Sequence, residues 1–244
     1  DLAAASGVVE HYLDVLDRIE QRGVKAEISI KLTQLGLDIS EDAATRNLIT
    51  LLERAAATGS AVFVDMEDSS YVDRTLAIFR AVLASHRNVG LCLQAYLRRT
   101  AADLDSLLQD TVAIRLVKGA YNEPEAVAFP VKRDVDENYQ RLARALIEAS
   151  RTVTDTPRPV LGTHDIALIG RIARDAEAAG VSRDGYEIHM LYGIRSAEQI
   201  RLVGDGHRVR VLISYGEEWF PWYVRRLAER PANVWFVVRS MVWR

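Results

Sequence analysis

A closed (β/α)8 barrel, an α/β fold, is what this sequence predicts. Three observations lead there: the length of the chain, the alternation of apolar runs with helical patterns, and the number of those runs. The chain has 244 residues, 49% hydrophobic and 27% charged. That is an ordinary globular composition, and one α/β barrel takes roughly 250 residues. Eight β-branched, apolar runs read as strands: "AEISIKL" (26–32), "AVFVDM" (61–66), "GLCLQAY" (90–96), "AIRLVK" (113–118), "PVLGTH" (159–164), "YEIHML" (186–191), "RVRVLIS" (208–214) and "NVWFVV" (233–238). Strands alternating with helices build a parallel sheet. A doubly wound open sheet is the alternative.

The elements follow in order. The opening "DLAAASGVVEHYLDVLDRIEQRG" is already close to a helix, which fits a chain trimmed at its N-terminus. "EDAATRNLITLLERAAATG" starts on Glu41 and Asp42, favourable to a helix N-terminus, and stops at Gly59. "VDENYQRLARALIEASR" is a second long helical pattern, and "WYVRRLAERP" a short helix before the eighth run. No linker, low-complexity tract or repeat divides the chain, so residues 1–244 are expected to form a single domain.

Strand parity then locates polar side chains. Successive residues of a strand face opposite ways. Ile28 and Ile30 oppose Ser29 and Lys31; Val62 and Val64 oppose Phe63 and Asp65; Leu91 and Leu93 oppose Cys92 and Gln94. Ile114 and Leu116 oppose Arg115, and Ile188 and Met190 oppose Glu187 and His189. With the aliphatic side against the helices, five strands each send a polar residue toward the axis. These are expected near the C-terminal strand ends, where barrel active sites lie. Taken singly, a strand-end lysine is usually solvated and Asp65 can simply open the acidic loop "DMEDSS". The coincidence across five strands favours a polar pocket.

Composition excludes several functions. With 31 basic and 34 acidic residues, the chain has no electrostatic reason to hold nucleic acid or an anionic membrane. One cysteine, Cys92, rules out an intrachain disulfide and suits a reducing compartment. No apolar run reaches the ~18 residues of a membrane span. The five histidines show no metal-site spacing, so no metal is expected. No P-loop, G-x-G-x-x-G or G-x-S-x-G motif is present. "IRLVKGAY" offers Lys118 beyond a strand end, either as an imine-forming lysine of an aldolase or, with Arg115 and Gly119, as part of an anion site. Residue pattern leaves both open. Adjacent Arg225 and Arg226 pose another puzzle, because neighbours on a helix point about 100° apart and one solvated face cannot hold both.

The segments "SIKLTQLGLDIS", "VFVDMEDSSYVDRTL", "GLCLQAYLRRT", "IRLVKGAYNEP", "GTHD", "YEIHMLYGIR" and "WYVRRLAERPANVWFV" together resemble the proline dehydrogenase family, in order from about residue 26 to 240. The resemblance implies a distorted (β/α)8 barrel with FAD at the C-terminal mouth of its strands. It implies oxidation of L-proline to 1-pyrroline-5-carboxylate, the first step of proline breakdown, with electrons passed to a quinone. A cytoplasmic protein is implied, or one peripheral to the inner face of the membrane and touching its surface transiently. By resemblance Arg225, Arg226 and Lys31 bind the substrate carboxylate and Tyr121 lies near the substrate; helical spacing places Glu229 to pair with an arginine one turn back. Asp65 matches the acidic residue of the active site, and Arg115 the arginine beside the flavin, where it steadies negative charge. The cofactor contacts implied are Met66, Gln94, Arg115, Lys118, Gly119, Ala120, Thr163 and His164. The sequence departs from the family pattern in three places. Leu212 stands where many relatives have tyrosine, Trp222 replaces the tyrosine of Y-x-x-R-R, and His189 replaces a common glutamine. These changes bear on the wall around the substrate ring. They keep two further readings open, a hydroxyproline or related cyclic amino acid dehydrogenase and a non-catalytic flavin-binding relative.

Overall fold

The computed structural model describes residues 1–108, 110, 112–151 and 158–214. Helices and strands alternate: α1 (Leu2–Gln21), β1 (Ile28–Ile30), α2 (Glu41–Ala57), β2 (Val62–Val64), a 3-10 turn (Ser69–Tyr71), α3 (Val72–Leu83), β3 (Val89–Gln94), α4 (Thr100–Leu107), β4 (Ala113–Val117), α5 (Lys132–Ala149), β5 (Pro159–Gly162), α6 (Ile166–Ala178), β6 (Glu187–Leu191), α7 (Ser196–Gly204) and β7 (Arg208–Leu212). The strands are shorter than the apolar runs that signalled them, because residues such as Lys31 and Asp65 belong to the loops beyond. The helix ends have local causes. Ser40 caps α2 by accepting from Ala43 N–H at 3.2 Å. Gly59, at φ +66°, ends it, with Ser60 N–H bonding back to Ala55 and Gly59 N–H to Ala56. Gly23, Gly180 and Gly206 close α1, α6 and α7 by the same pattern of bonds.

The described strands form one parallel sheet in the order β1-β2-β3-β4-β5-β6-β7. Each strand pairs with its sequence neighbour and no point of reversal occurs, which removes the doubly wound alternative. The sheet curls: Arg158, just before β5, bonds Glu27, just before β1, and Arg210 of β7 lies 3.7 Å from the same carboxylate. The eighth run and the arginine helix lie outside the described residues.

Parity sorts the core into two layers. Ile28, Ile30, Val62, Val64, Leu91, Leu93, Ile114, Leu116, Leu161, Ile188 and Met190 are all buried and belong, with Leu48, Leu51, Leu76, Phe79, Leu142, Leu146 and Ile172 of the helices, to one apolar cluster. Each such side chain contributes about 1.5–3 kcal/mol on burial. The concave side instead carries Ser29, Phe63, Cys92, Arg115, Glu187 and His189.

Candidate active site

Arg115 anchors the concave side. It sits in the middle of β4 and is only 6% exposed. One guanidinium nitrogen donates to Ser29 Oγ at 3.1 Å, the other to Asp65 Oδ1, and the group stacks 4.7 Å from the Phe63 ring. Burial works against the Arg115 charge, but Asp65 and Cys92 together outweigh it, and its pKa lies above the ordinary guanidinium value. Asp65 is held in turn by its backbone, whose N–H extends the β1–β2 ladder to Ile30 C=O at 2.8 Å. Its second oxygen lies 3.2 Å from Lys31 Nζ. One carboxylate thus bridges a buried arginine and a half-exposed lysine.

The neighbouring strand ends add a second group. Met66 is buried, and its carbonyl accepts from Gln94 Nε2 at 3.1 Å. Gln94 Oε1 has no hydrogen-bond partner among the described residues, although the side chain is buried. Lys118 follows β4, and its ammonium bonds Asp136 of α5 and, at 2.7 Å, Asp165. With its nitrogen tied to two carboxylates, Lys118 is not offered to a carbonyl carbon, which disfavours the aldolase reading. Burial raises the Asp165 pKa, but Lys118 and the Leu168 N–H that it caps bring it down to about 2. Gly119 has φ +117°, and a Cβ there would meet the Tyr96 ring at 2.1 Å, so two constraints demand glycine. Ala120 and half-buried Tyr121 continue this loop. Thr163 Oγ1 accepts from Asp165 N–H at 3.2 Å, and His164 Nε2 accepts from Leu191 N–H at 3.1 Å, joining the loop after β5 to the end of β6. Half-buried Leu212 ends β7 in register with Leu191, on the side of Arg210.

Not every axis-facing polar group belongs to the mouth. Glu187 is the first residue of β6, near the N-terminal strand ends, contrary to the expectation from parity. It bonds His189 at 3.1 Å and Arg210 at 2.9 Å, while Arg158 holds Glu27 through two bonds of 2.6 and 2.8 Å. Burial raises the Glu187 pKa, but His189, Arg158 and Arg210 bring it down to about 2. Burial lowers that of His189, with Arg115 adding to the effect against the pull of Glu187. Parity fixes the side of a strand that a residue faces; it does not fix the height along the axis.

The family model for proline dehydrogenase matches residues 1–239. The chain belongs to the proline dehydrogenase family. It is 38% identical to proline dehydrogenase 2 of Bacillus subtilis (strain 168), over 95% of this chain and 75% of that protein. It is 36% identical to the proline dehydrogenase of Deinococcus radiodurans, over 98% of this chain and 77% of that one. Among solved structures, proline utilization A from Bdellovibrio bacteriovorus, inactivated by N-propargylglycine, superposes with a TM-score of 0.83 at 23% identity over 93% of this chain. The corresponding protein of Bradyrhizobium japonicum gives 0.82 at 23% identity. These two share the fold, and the chain spans only 28% and 27% of their lengths.

In this member of the proline dehydrogenase family, Asp65 touches both Lys31 and Arg115. Met66 and Gln94 form a second contact, and Lys118, Gly119, Ala120 and Tyr121 share one loop after β4. Arg225, Arg226, Trp222 and Glu229 lie outside the described residues. Sequence reasoning missed Asp136 as a holder of Lys118, and no local signal marks a partner 18 residues away. It also missed Asp165, although an aspartate before "IALIG" has the form of a helix cap that could have signalled it.

Proposed function

We propose that this chain oxidises L-proline to 1-pyrroline-5-carboxylate, the first step of proline degradation, with FAD as its cofactor. Electrons pass on to a quinone. Beside family membership, the observation that carries the reading is the bridge of Lys31 and Arg115 through Asp65. A half-exposed Lys31 held there would meet a substrate carboxylate, with the buried Arg115 as a second, permanent cation on the same aspartate.

The residues present suit a flavin. A buried amide oxygen without a partner is costly, and Gln94 Oε1 would take the ring N–H at the pyrimidine edge. Met66, Arg115, Lys118, Gly119, Ala120, Thr163 and His164 would complete the cofactor site. When bound, FAD accepts a hydride from the proline ring carbon next to nitrogen. The chain supplies the rest. Lys31, with Arg225 and Arg226, anchors the carboxylate, and arginine suits a bidentate contact of this kind. Tyr121 and Leu212 wall the ring, and Asp65 keeps Lys31 and Arg115 in place so that the substrate meets a preorganised field. A cytoplasmic location, with transient contact at the membrane face where a quinone is met, belongs to the same proposal. Among the described residues no helix is long and apolar enough to cross a membrane.

The absorption spectrum of the purified protein tests the reading. Oxidised flavin bands should bleach when L-proline is added without oxygen. A colourless protein that does not take up FAD would refute it.

A further inference from the structure

The loops at the mouth are tied together by carboxylates to which the reading above gives no part. Glu67 follows Asp65 and Met66 and is 8% exposed. Both its oxygens go to one residue of the neighbouring loop: Oε1 accepts from Thr33 Oγ1 at 2.7 Å, and Oε2 from Thr33 N–H at 3.2 Å. Thr33 lies two residues past Lys31, as Glu67 lies two past Asp65. The segment bearing Lys31 is therefore held to the segment bearing Asp65 by two rungs, Lys31–Asp65 and Thr33–Glu67. The backbone ladder between them continues only to the bond from Asp65 N–H to Ile30 C=O, and residues 32–39 run as turns. The same device recurs between the segments after β2 and β4, where Glu123 accepts from both Ser69 N–H and Ser69 Oγ at 2.6 Å.

A buried carboxylate is costly unless it is hydrogen-bonded, and the partners of Glu67 are both on Thr33. We propose that Glu67 is a positioning residue for Lys31, fixing through Thr33 the place from which the Lys31 ammonium meets the substrate carboxylate. The inference rests on the carboxylate role given to Lys31 above. Asp65 by itself holds only the tip of a long, flexible side chain, and it shares its charge with Arg115. Glu67 holds the backbone from which that side chain starts. Burial holds the Glu67 carboxyl above the usual carboxylate range, and the two Thr33 bonds offset that only in part.

The test is a mutant cycle on the flavin-loaded protein, using Glu67→Ala, Glu67→Gln, Lys31→Ala and the double variant Lys31→Ala/Glu67→Ala. Proline KM and kcat, flavin content and inhibition by cyclopentanecarboxylate, a ring acid without the amine, are measured for each. Glu67→Ala should raise KM and the inhibition constant about tenfold, since a small displacement of an anchoring group has effects of this order. Flavin content should stay full and kcat should change less than KM. Glu67→Gln, which still accepts the Thr33 N–H, should recover most of the loss. In the Lys31→Ala background, Glu67→Ala should add nothing, because its effect runs through the missing lysine. A wild-type KM in Glu67→Ala, or an effect that multiplies with that of Lys31→Ala, overturns the positioning role. If Glu67→Ala does not fold, Thr33→Val removes the hydroxyl rung alone. It should raise KM about threefold, in keeping with one ordinary hydrogen bond, only while Lys31 is present; no rise overturns the proposal. A wild-type KM in Lys31→Ala removes the carboxylate role of Lys31 and the positioning with it, whereas a loss confined to Lys31→Ala removes the positioning alone.

Discussion

Asp65 gives one oxygen to Arg115 and the other to Lys31, so a single side chain sets the electrostatics of the floor. In the proposed reading, Arg225 and Arg226 share the substrate carboxylate with Lys31. Replacing either arginine by alanine should raise the KM for proline by roughly thirty- to a thousand-fold with flavin retained, because a charge-assisted contact in a dry pocket contributes about 2–4 kcal/mol. Unchanged KM in both variants would remove the carboxylate role of the pair. In the same reading Leu212 walls the substrate ring and so bears on specificity. Leucine is shorter than tyrosine and leaves room for a ring substituent, yet it offers a hydroxyl no partner, and an unsatisfied buried hydroxyl costs about 1–3 kcal/mol. The polar penalty outweighs the space, so L-proline should exceed 4-hydroxyproline in kcat/KM for the wild type. Comparing both substrates on the wild type and on Leu212→Tyr measures the balance; equal or better use of 4-hydroxyproline would move the function toward hydroxyproline breakdown.

Strands supplied the legible part of the site, and β3 shows the reason. Parity places Gly90, Cys92 and Gln94 on its concave side, and register puts Gly90 beside Phe63 of β2. A Cβ on Gly90 would stand 2.5 Å from the Phe63 ring, so the missing side chain makes room for the aromatic that underlies Arg115. Gly90→Ala should destabilise by about 1–3 kcal/mol, the usual range for overpacking a full core. Thermal unfolding reads that loss, and an unchanged midpoint would show that Phe63 has room to move. Helix starts were legible for the same local reason: Glu41 and Asp42 mark the first turn of α2, and Ser40 caps it. What the strands did not disclose was height. Glu187 and Asp65 both face the axis, yet one begins its strand and the other follows its strand, because the stagger of strands around a curled sheet is a property of all of them together.

At the scale of the molecule, buried charge is divided between two ends of the axis. Lys31, Asp65 and Arg115 serve the mouth, while Glu27, Arg158, Glu187 and Arg210 link β1, β5, β6 and β7 at the other end. The second group ties the sheet into its curl, which predicts how stability depends on pH. Glu187 and Asp165 both titrate at about 2 in the folded chain, below ordinary carboxylates. A depressed carboxylate contributes stability in full above its unfolded value, and the contribution is lost as pH falls from about 4 toward 2. His189, also depressed, acts with the same sign, since the unfolded chain takes up its proton first, below about pH 6.5. Denaturant midpoints should therefore fall on acidification, gently below about pH 6.5 and steeply below about pH 4. Glu187→Gln should flatten the lower part of the curve, and an unaltered profile in that variant would show that its partners stabilise nothing.

By itself the sequence determined the alternation of strands and helices, the face each strand residue takes, and the run of motifs shared with the family. Each of these is periodic or local, with periods of two and about 3.6 residues that any window of chain displays. Only the tertiary structure decided which charge meets which. Arg115 reaches Asp65 across 50 residues, Lys118 reaches Asp165 across 47, and Arg158 reaches Glu27 across 131. An arginine or lysine accepts any carboxylate that comes near. Which one does depends on how loops of different lengths bring distant strand ends together, and on the curl that turns a row of strands into the wall of one pocket.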